Sequence, residues 1–423
     1  MGFYQDTNIT SGDFSWLGAI FYLGYLLFQI PNQYLLQRFS ISKYLGTCVI
    51  LWGVLLACTA LAKNFHQLLI LRFFQGFFEA AAYPCIQLLI STVYRRTEQV
   101  TLFGIMMCSN DFGIVIGGLI GFGFLNLNGI HGLSGWRWCM IILGSTTAII
   151  GLITFIFLPD KAKSRWYRLT PAEMEIVEDR IRDNSVVENR VIKTEHIREA
   201  LCEAPFYCYT LISFLAHLLN GCVTIFSTQI IKSMGFSSME SILLNIPIGV
   251  TTMVLITTTV YLSRRFKENN YIGAAMCFVA FIGVLLLTVI PEGGAMLVGI
   301  FCANIDCVST IVLSSISNNV SGYTKKVFYN GTYLVAYCLG NFAGPLLILP
   351  EQAPRYLGGM AVYMAAMLIS ALLFLYARWA YVRDNNYRKQ LKAEGKLPLS
   401  QASSSNQLED LSDRQDLRFI YRP

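Results

Sequence analysis

Two charged residues, Arg72 and Glu79, lie inside the otherwise apolar stretch LRFFQGFFEAAAYP at positions 71–84. Their spacing of seven residues places them on one face of a helix, separated by ~10 Å along its axis. Helical side chains lean toward the N-terminus, so Arg72 leans away from Glu79 and a direct salt bridge between them is not expected. With these residue types, Arg72 could attract an anionic ligand and Glu79 could take up a proton.

Each of these charges also has a structural interpretation. Arg72 lies about five residues from the predicted start of its helix and could extend outward to water. Glu79 lies deeper and could form a structural hydrogen bond to another helix. A charge at the centre of a membrane costs at least ~2.5–3.5 kcal/mol on insertion scales, so such residues usually face a cavity or a partner.

Further polar residues occur within apolar segments. Asp111 and Asp306 fall near the middle of their segments, where either could carry a proton, pair with a cation, stay protonated or cap a broken helix. His217, Asn220 and Asn341 are candidates for the polar lining of a ligand site. Each of these three could equally provide a hydrogen bond between helices.

The composition indicates a membrane protein and argues against several other classes. Hydrophobic residues make up 54% of the 423 residues and charged residues 14%, with a mean hydropathy of +0.51, whereas a soluble domain is about one quarter charged. The basic residues lie in short loops, so the net charge of +6 does not indicate a nucleic-acid partner. The 12 cysteines form no CxxC and the four histidines no HExxH. We therefore predict no metal, no cofactor and no enzymatic activity.

The chain divides into apolar segments of the length that crosses a membrane. The eleven predicted spans are about 14–36, 43–62, 67–94, 100–124, 136–158, 205–232, 240–263, 271–290, 294–318, 327–349 and 357–381. Alternate connections are rich in Lys and Arg, which predicts that they and the C-terminus are cytoplasmic. The expected fold class is an all-α polytopic membrane protein.

A short internal repeat predicts two related halves. RFSISKYLG begins at Arg38 and RFKENNYIG begins at Arg265, and both fit R-F-x-x-x-x-Y-x-G. Five predicted helices surround the first copy and six the second. The simplest interpretation is two pseudo-symmetric helix bundles in a twelve-helix arrangement, with the first helix missing from this chain.

Glycines at helical spacing support this repeat. Gly113 and Gly117 lie four residues apart in one half, as do Gly340 and Gly344 in the other. Small residues at this spacing let helices approach closely, either as a moving interface or as static tight packing. Gly76, between the two charges of the 71–84 stretch, would likewise let a neighbouring helix pack against it.

Four regions are predicted along the chain. An N-terminal bundle occupies 1–158 and a six-helix bundle occupies 205–382. The linker 159–204 is polar and contains a short amphipathic helix, with Thr170 as its N-cap and Pro171 at its first position. The polar, serine-rich composition of 383–423 predicts a disordered cytoplasmic tail.

Several motifs resemble those of a known family. RFFQGFFEA, continued by Glu79 and Pro84, is similar to the R-x-x-x-G-x-x-x-A signature of the major facilitator superfamily. GLSGWRW (132–138), FLPD (157–160), NNVSGYTKK (318–326), GNFAGP (340–345) and APRYLGG (353–359) resemble its anion:cation symporter branch. Together these motifs span almost the whole chain and resemble the fungal allantoate permease family.

The resemblance implies the major facilitator fold and proton-driven uptake of a small organic anion, such as allantoate, ureidosuccinate, nicotinate or pantothenate. It implies that Arg72 and Glu79 work in substrate binding and that Glu79 also couples protons. It also implies that Arg38 and Arg265 belong to cytoplasmic loops that stabilise the outward-facing state of the transporter. The family's first helix, with its Asp-Arg pair, is absent from this sequence, and Asp111 is not part of the family pattern.

The expected partners are a small organic anion, protons and the lipid bilayer, with the chain as a monomer. The plasma membrane is the expected location, and an internal membrane stays open. A drug/proton antiporter and a truncated, non-transporting membrane protein remain alternatives.

Overall fold

The structure is a computed structural model of the chain, and within the residues it describes the secondary structure is helical, with short 3-10 turns and no strand. The described residues are 3–94, 96–125, 127–159, 168–182, 193–290, 295–352, 355–394 and 411–423.

These residues form seventeen α-helices. The first eight are α1 (Phe3–Thr7), α2 (Ser11–Arg38), α3 (Ile41–Cys58), α4 (Phe65–Glu79), α5 (Ala82–Val93), α6 (Arg96–Leu125), α7 (Gly135–Phe157) and α8 (Pro171–Arg182). The others are α9 (Thr194–Leu201), α10 (Ala204–Ser233), α11 (Ser238–Leu243), α12 (Asn245–Phe266), α13 (Asn269–Val289), α14 (Met296–Cys302), α15 (Asp306–Asn319), α16 (Tyr323–Ala343) and α17 (Leu357–Ala393).

The all-α membrane fold predicted from the sequence is confirmed. Each of the eleven predicted spans coincides with one of these helices or with a consecutive pair of them. Within the described residues, eight spans have the length and hydropathy needed to cross a membrane. The three predicted spans outside this set correspond to α2, α6 and α16. Helix α16 begins with the polar sequence YTKK, which lowers its mean hydropathy.

The chain forms two compact units. The first contains Met1–Ser185, Thr224–Val250 and Ile348–Pro354, and the second contains Val186–Val223, Thr251–Leu347 and Arg355–Pro423. Because the two units interleave along the sequence, the predicted boundaries at residues 158, 204 and 382 stay predictions.

The two copies of the sequence repeat occupy equivalent places in their own units. The final glycine of the first copy is Gly46 on α3, where an added Cβ would lie 2.6 Å from Cβ of Phe155 on α7. The final glycine of the second copy is Gly273 on α13, where an added Cβ would lie 2.7 Å from the ring of Phe374 on α17. In each unit, the motif glycine therefore lets the helix after the repeat pack against the last long helix of that half.

The predicted linker helix is present as α8. The backbone N–H of Thr170 donates to the Glu173 carboxylate at 2.8 Å, and the Glu173 N–H donates to the Thr170 hydroxyl at 3.4 Å. This reciprocal pair satisfies donors that the first turn of a helix leaves open. The hydrogen bond from the Thr170 backbone holds the pKa of the Glu173 carboxyl below its usual value.

Within the described residues, 383–394 and 411–423 differ from the disorder predicted for 383–423, and residues 395–410 lie outside the described part of the chain. Helix α17 continues through Ala393, and residues 411–423 lie against the second unit. The composition of this region is polar, and composition predicts disorder because few apolar side chains are available for burial. The segment is held instead by hydrogen bonds, for example between Asn385 on α17 and the backbone of Tyr421.

Helices α2 and α4 cross at two glycines. An added Cβ at Gly76 would lie 1.9 Å from the carbonyl oxygen of Phe21, and one at Gly24 would lie 2.1 Å from the carbonyl oxygen of Phe73. The two backbones are therefore in direct contact, with no room for a side chain at either position.

We predict that Gly76→Ala lowers the apparent melting temperature of the purified protein. The new methyl group meets backbone rather than a movable side chain, and overpacking of this kind costs about 1–3 kcal/mol. Gly113→Ala on α6 is the matched control, because nothing lies within 4 Å of its added Cβ and alanine is the better helix former by about 0.5–1 kcal/mol. Equal melting temperatures for the two variants would contradict the tight crossing.

Candidate functional site

Arg72 is half-buried on α4 and is positioned by a chain of polar contacts. Its guanidinium donates to Oε1 of Gln75 at 3.4 Å. Gln75 is buried, and its Nε2 donates to the Thr59 hydroxyl at 2.8 Å and to the Leu55 carbonyl at 3.3 Å. Residues at the end of α3 therefore fix Gln75, which in turn orients Arg72. Within the described residues the guanidinium makes this one long hydrogen bond, which leaves most of its five N–H donors available to a ligand.

Glu79 is half-buried and is the last residue of α4. Its carboxyl group makes no hydrogen bond within the part of the chain that the structure describes. No ion pair joins it to Arg72, although both side chains are described and are close enough to interact electrostatically. This geometry agrees with the expectation that no direct salt bridge joins Arg72 and Glu79.

The span that contains both charges is interrupted just after Glu79. Pro84 has no N–H, so it cannot donate to the carbonyl of Ala80 four residues earlier. That carbonyl instead accepts a hydrogen bond from Nδ2 of Asn32 on α2 at 3.3 Å, and Asn32 is fully buried. The Tyr44 hydroxyl donates to Oδ1 of Asn32 at 2.8 Å, which sets the orientation of the amide. Asn32 and Tyr44 thus stabilise the helix break beside Glu79.

The second unit contains a comparable interruption between α14 and α15. Asn304 lies in it, and its Oδ1 accepts a hydrogen bond from the N–H of Asp306 at 3.1 Å. Nδ2 of Asn304 donates to the buried hydroxyl of Thr252 on α12. Asp306 is the first residue of α15, where the helix dipole favours a negative charge. Among the roles open to an aspartate in a broken helix, this placement fits that of a capping group at a helix terminus.

His217 is fully buried on α10, and both of its ring nitrogens have partners. Nδ1 lies 2.6 Å from the carbonyl oxygen of Ser213, which can only accept, so Nδ1 donates. Nε2 lies 3.1 Å from the Ser309 hydroxyl on α15 and accepts a hydrogen bond from it. The Tyr337 ring packs edge-on against the imidazole, with 4.4 Å between ring centroids. His217 therefore connects α10 to α15.

Asn220 and Asn341 are brought together. Nδ2 of Asn220 donates to Oδ1 of Asn341 at 3.2 Å, and Nδ2 of Asn341 donates to the Tyr337 carbonyl at 3.0 Å. The neighbouring Gly340 and Gly344 let α16 approach α10, since added Cβ atoms would lie 2.5 Å from the Phe214 oxygen and 2.2 Å from the Leu218 oxygen. The pair therefore lies in a tight helix contact.

The other predicted site residues lie apart from these networks. Among the described residues, no atom lies within 4 Å of an added Cβ at Gly113 or Gly117, in contrast to Gly340 and Gly344. Asp111 lies on α6, and its side chain is outside the described residues. Arg38 is exposed with its guanidinium 4.5 Å from the Tyr34 ring centroid, and Arg265 is exposed at the end of α12.

One polar cluster that sequence reasoning missed explains the GLSGWRW motif. Asp6 on α1 accepts hydrogen bonds from the Ser134 hydroxyl and from Nε1 of Trp136, the latter at 2.8 Å. Arg137 lies 3.7 Å from the same carboxylate and also donates to the Ala62 carbonyl at 3.4 Å. The hydrogen bonds from Ser134 and Trp136 hold the pKa of Asp6 below its usual value. A lone acidic residue 128 positions before Ser134 gives no local signal of this pairing.

Repeated helical units with interrupted membrane helices and half-buried charges beside the breaks define a secondary transporter fold. A model of the Major Facilitator Superfamily matches residues 1–345, and the chain belongs to this superfamily. The superfamily recognised from the sequence motifs is therefore confirmed, and so is the prediction that the chain is not an enzyme.

Fungal transporters are among its relatives. The chain is 30% identical to the allantoate permease of Saccharomyces cerevisiae over 442 residues, covering 100% of this chain and 80% of the permease. It is 29% identical to the thiamine pathway transporter of the same yeast, covering 98% of this chain and 79% of that transporter. The crystal structure of a D-xylose-proton symporter matches 87% of this chain and 88% of its own chain with a TM-score of 0.65, and at 15% identity it supports the fold alone.

We predict that Asn32→Ala lowers the apparent melting temperature, because it leaves the Ala80 carbonyl and the Tyr44 hydroxyl without their partner. An unsatisfied buried polar group costs about 1–3 kcal/mol. Adding Pro84→Ala should partly restore stability, since residue 84 then supplies an N–H to the Ala80 carbonyl. Additive losses in the double variant would show that Asn32 does not compensate for Pro84.

Proposed function

We propose that this transporter is a proton-coupled symporter of a small organic anion, working by alternating access. The substrate class is a carboxylate such as allantoate or ureidosuccinate, or a carboxylate vitamin such as nicotinate or pantothenate. The observation that supports it most directly is the pair of half-buried charges on α4: a guanidinium with donors to spare and, beside a helix break, a carboxyl group without a hydrogen bond in the described chain. The 30% identity to an allantoate permease supports the same substrate class.

In this proposal, Arg72 binds the substrate carboxylate and Gln75 keeps the guanidinium in place. Planar, bidentate pairing with a carboxylate suits an arginine better than a lysine. Gln75 is neutral, so it orients the guanidinium without cancelling its charge. The anion therefore forms the ion pair that Arg72 does not make within the described residues.

Glu79 is the proposed proton carrier. A carboxylate at the C-terminal end of a helix is opposed by the helix dipole, whereas a neutral carboxyl group is not. Proton binding at Glu79 and anion binding at Arg72 together leave the site with less uncompensated charge. This lowers the cost of enclosing the site away from water.

In the second unit, the proposal assigns Asn220 and Asn341 to the polar lining. His217 and Asp306 have supporting parts in it, His217 through its link to Ser309 and Asp306 through the start of α15. Asp111 remains a second candidate for proton transfer. Arg38, Arg265 and the closely packed Gly76, Gly340 and Gly344, with Gly113 and Gly117 on α6, are proposed to act in conformational change.

The proposed setting is the plasma membrane, with the transporter a monomer and its C-terminal side in the cytoplasm. The excess of Lys and Arg in alternate connections supports this orientation.

Uptake of labelled allantoate, ureidosuccinate, nicotinate, pantothenate and biotin into expressing cells, at acidic and neutral external pH, tests this function. Thiamine serves as a cationic comparison. We expect acid-stimulated uptake of one anion and a loss of at least tenfold in Arg72→Ala, because one charge-assisted contact with a buried carboxylate is worth about 1.5–3 kcal/mol. Lys63→Ala, which removes an exposed positive charge from the same unit, should leave uptake unchanged.

Two outcomes would contradict the proposal. The first is uptake of the cation alone, and the second is anion uptake that neither external acid nor Arg72→Ala alters. Immunodetection of the protein at the cell surface is the control for expression of each variant.

A further inference from the structure

Residues 411–423, here called the C-terminal segment, dock onto one end of the second unit. At this end α13 and α16 begin, α15 ends, and the last turns of α17 contact the segment. Asp413 and Ser412 of the segment are buried, with exposures of 2% and 0%. These two residues and Tyr421 are therefore part of the packed interior of this end, whereas most other residues of the segment are partly or fully exposed.

A buried ammonium group lies at the centre of the docking site. Nζ of Lys325, on the first turn of α16, lies 2.7 Å from a carboxylate oxygen of each of Glu199, Glu203 and Asp413. The Lys325 side chain is fully buried. Glu199 lies on α9, Glu203 directly precedes α10 and Asp413 belongs to the C-terminal segment, so Lys325 on α16 joins the segment to α9 and to the start of α10.

Arg388 on α17 is a second anchor, and its hydrogen bonds in the described chain all go to the C-terminal segment. Its guanidinium donates to the carbonyl of Asp413 at 2.8 Å, to the Tyr421 hydroxyl at 2.9 Å and to the Asp416 carbonyl at 3.4 Å. It also donates to the carbonyl of Phe419. A nearly buried guanidinium that uses another segment's backbone in this way would lose its partners on undocking.

Side-chain amides hold the far end of the segment. The Asn385 side chain bonds to both the N–H and the carbonyl of Tyr421, at 3.0 and 2.9 Å. The Asn319 side chain does the same with Arg422, at 2.7 and 2.9 Å. The Pro423 carbonyl accepts from the N–H of Asn269 at 2.8 Å. The segment thus links the ends of α13, α15 and α17.

We propose that the C-terminal segment is a releasable latch that restrains the ends of α15 and α16, and that negative charge at Ser412 releases it. The device is independent of the identity of the transported substrate. It gives the transporter a local two-state element, docked or undocked, at one end of its second unit.

Ser412 is the sensitive position because of its neighbours. Its hydroxyl donates to Oε2 of Glu199 at 2.8 Å and accepts from the N–H of Gln415 at 3.2 Å. Carboxylate oxygens of Glu199, Glu203 and Asp413 all lie within 4.8 Å of one another. A carboxylate or phosphate at position 412 would lose the hydrogen bond to Glu199 and add like-charge repulsion where solvent cannot screen it. The nearby cations, Lys325 and Arg414, already pair with acidic groups.

Hydrogen–deuterium exchange of the purified full chain in detergent tests the latch without any substrate. We expect Ser412→Asp to speed amide exchange at least tenfold in 411–423 and in the turn 319–325. A tenfold change corresponds to a decrease of about 1.4 kcal/mol in the free energy of undocking the segment. Ser412→Ala, which removes one hydrogen bond but adds no charge, should have a much smaller effect. Arg388→Ala should act like Ser412→Asp.

Arg383→Ala is the matched control, since Arg383 lies on the same helix, is 63% exposed and pairs only with its neighbour Asp384 among the described carboxylates. Unchanged exchange in Ser412→Asp would overturn the proposal, as would faster exchange confined to 411–423 with the turn 319–325 unaffected. Peptides from α3 and α7 report the overall fold. If these peptides also exchange faster in Ser412→Asp, the fold itself is disturbed, and the milder variant Tyr421→Phe is measured instead. Unchanged exchange of 411–423 and 319–325 in Tyr421→Phe would overturn the latch proposal.

Discussion

A backbone carbonyl that loses its helical hydrogen bond inside a membrane must find another donor, because lipid offers none. This requirement governs the environment of Glu79. Pro84 removes the donor for Ala80, and the buried amide of Asn32 replaces it. Once Asn32 is committed to the carbonyl, Tyr44 must hold the other end of the amide. The position of Glu79 at the end of α4 therefore depends on residues from two other helices.

The second unit shows the complementary case, in which a backbone N–H beside the helix break needs an acceptor. Asn304 lies inside the interruption itself, caps the N–H of Asp306 and reaches Thr252 on α12. Polar side chains near both breaks are thus occupied by structural hydrogen bonds, and fewer of them are available to bind a substrate. Arg72 differs from this group, because its hydrogen bond to Gln75 is long and uses little of its donor capacity. This contrast separates the proposed ligand-binding residue from the residues that support the backbone.

Much of the fold could be predicted from the sequence, because a membrane helix needs a long apolar segment and such segments are visible in the printed chain. The repeat beginning at Arg38 and Arg265 was also visible, and its glycines Gly46 and Gly273 make equivalent contacts. The charges at Arg72 and Glu79 were conspicuous because lipid-exposed charge is costly. Contacts between distant polar residues gave no such signal. The pairing of Asp6 with the GLSGWRW motif and the docking of 411–423 at Lys325 depend on side chains more than 80 positions apart.

Glu79 is proposed to carry the coupled proton, and Glu79→Gln in proteoliposomes tests this role most directly. Two rates are compared with wild type: accumulation of the substrate driven by an inward proton gradient, and exchange of internal for external substrate without a gradient. We predict that the variant loses accumulation at least tenfold while exchange persists, because a neutral amide mimics the protonated carboxyl but cannot release a proton. Proton-driven accumulation at the wild-type rate in Glu79→Gln would contradict the account.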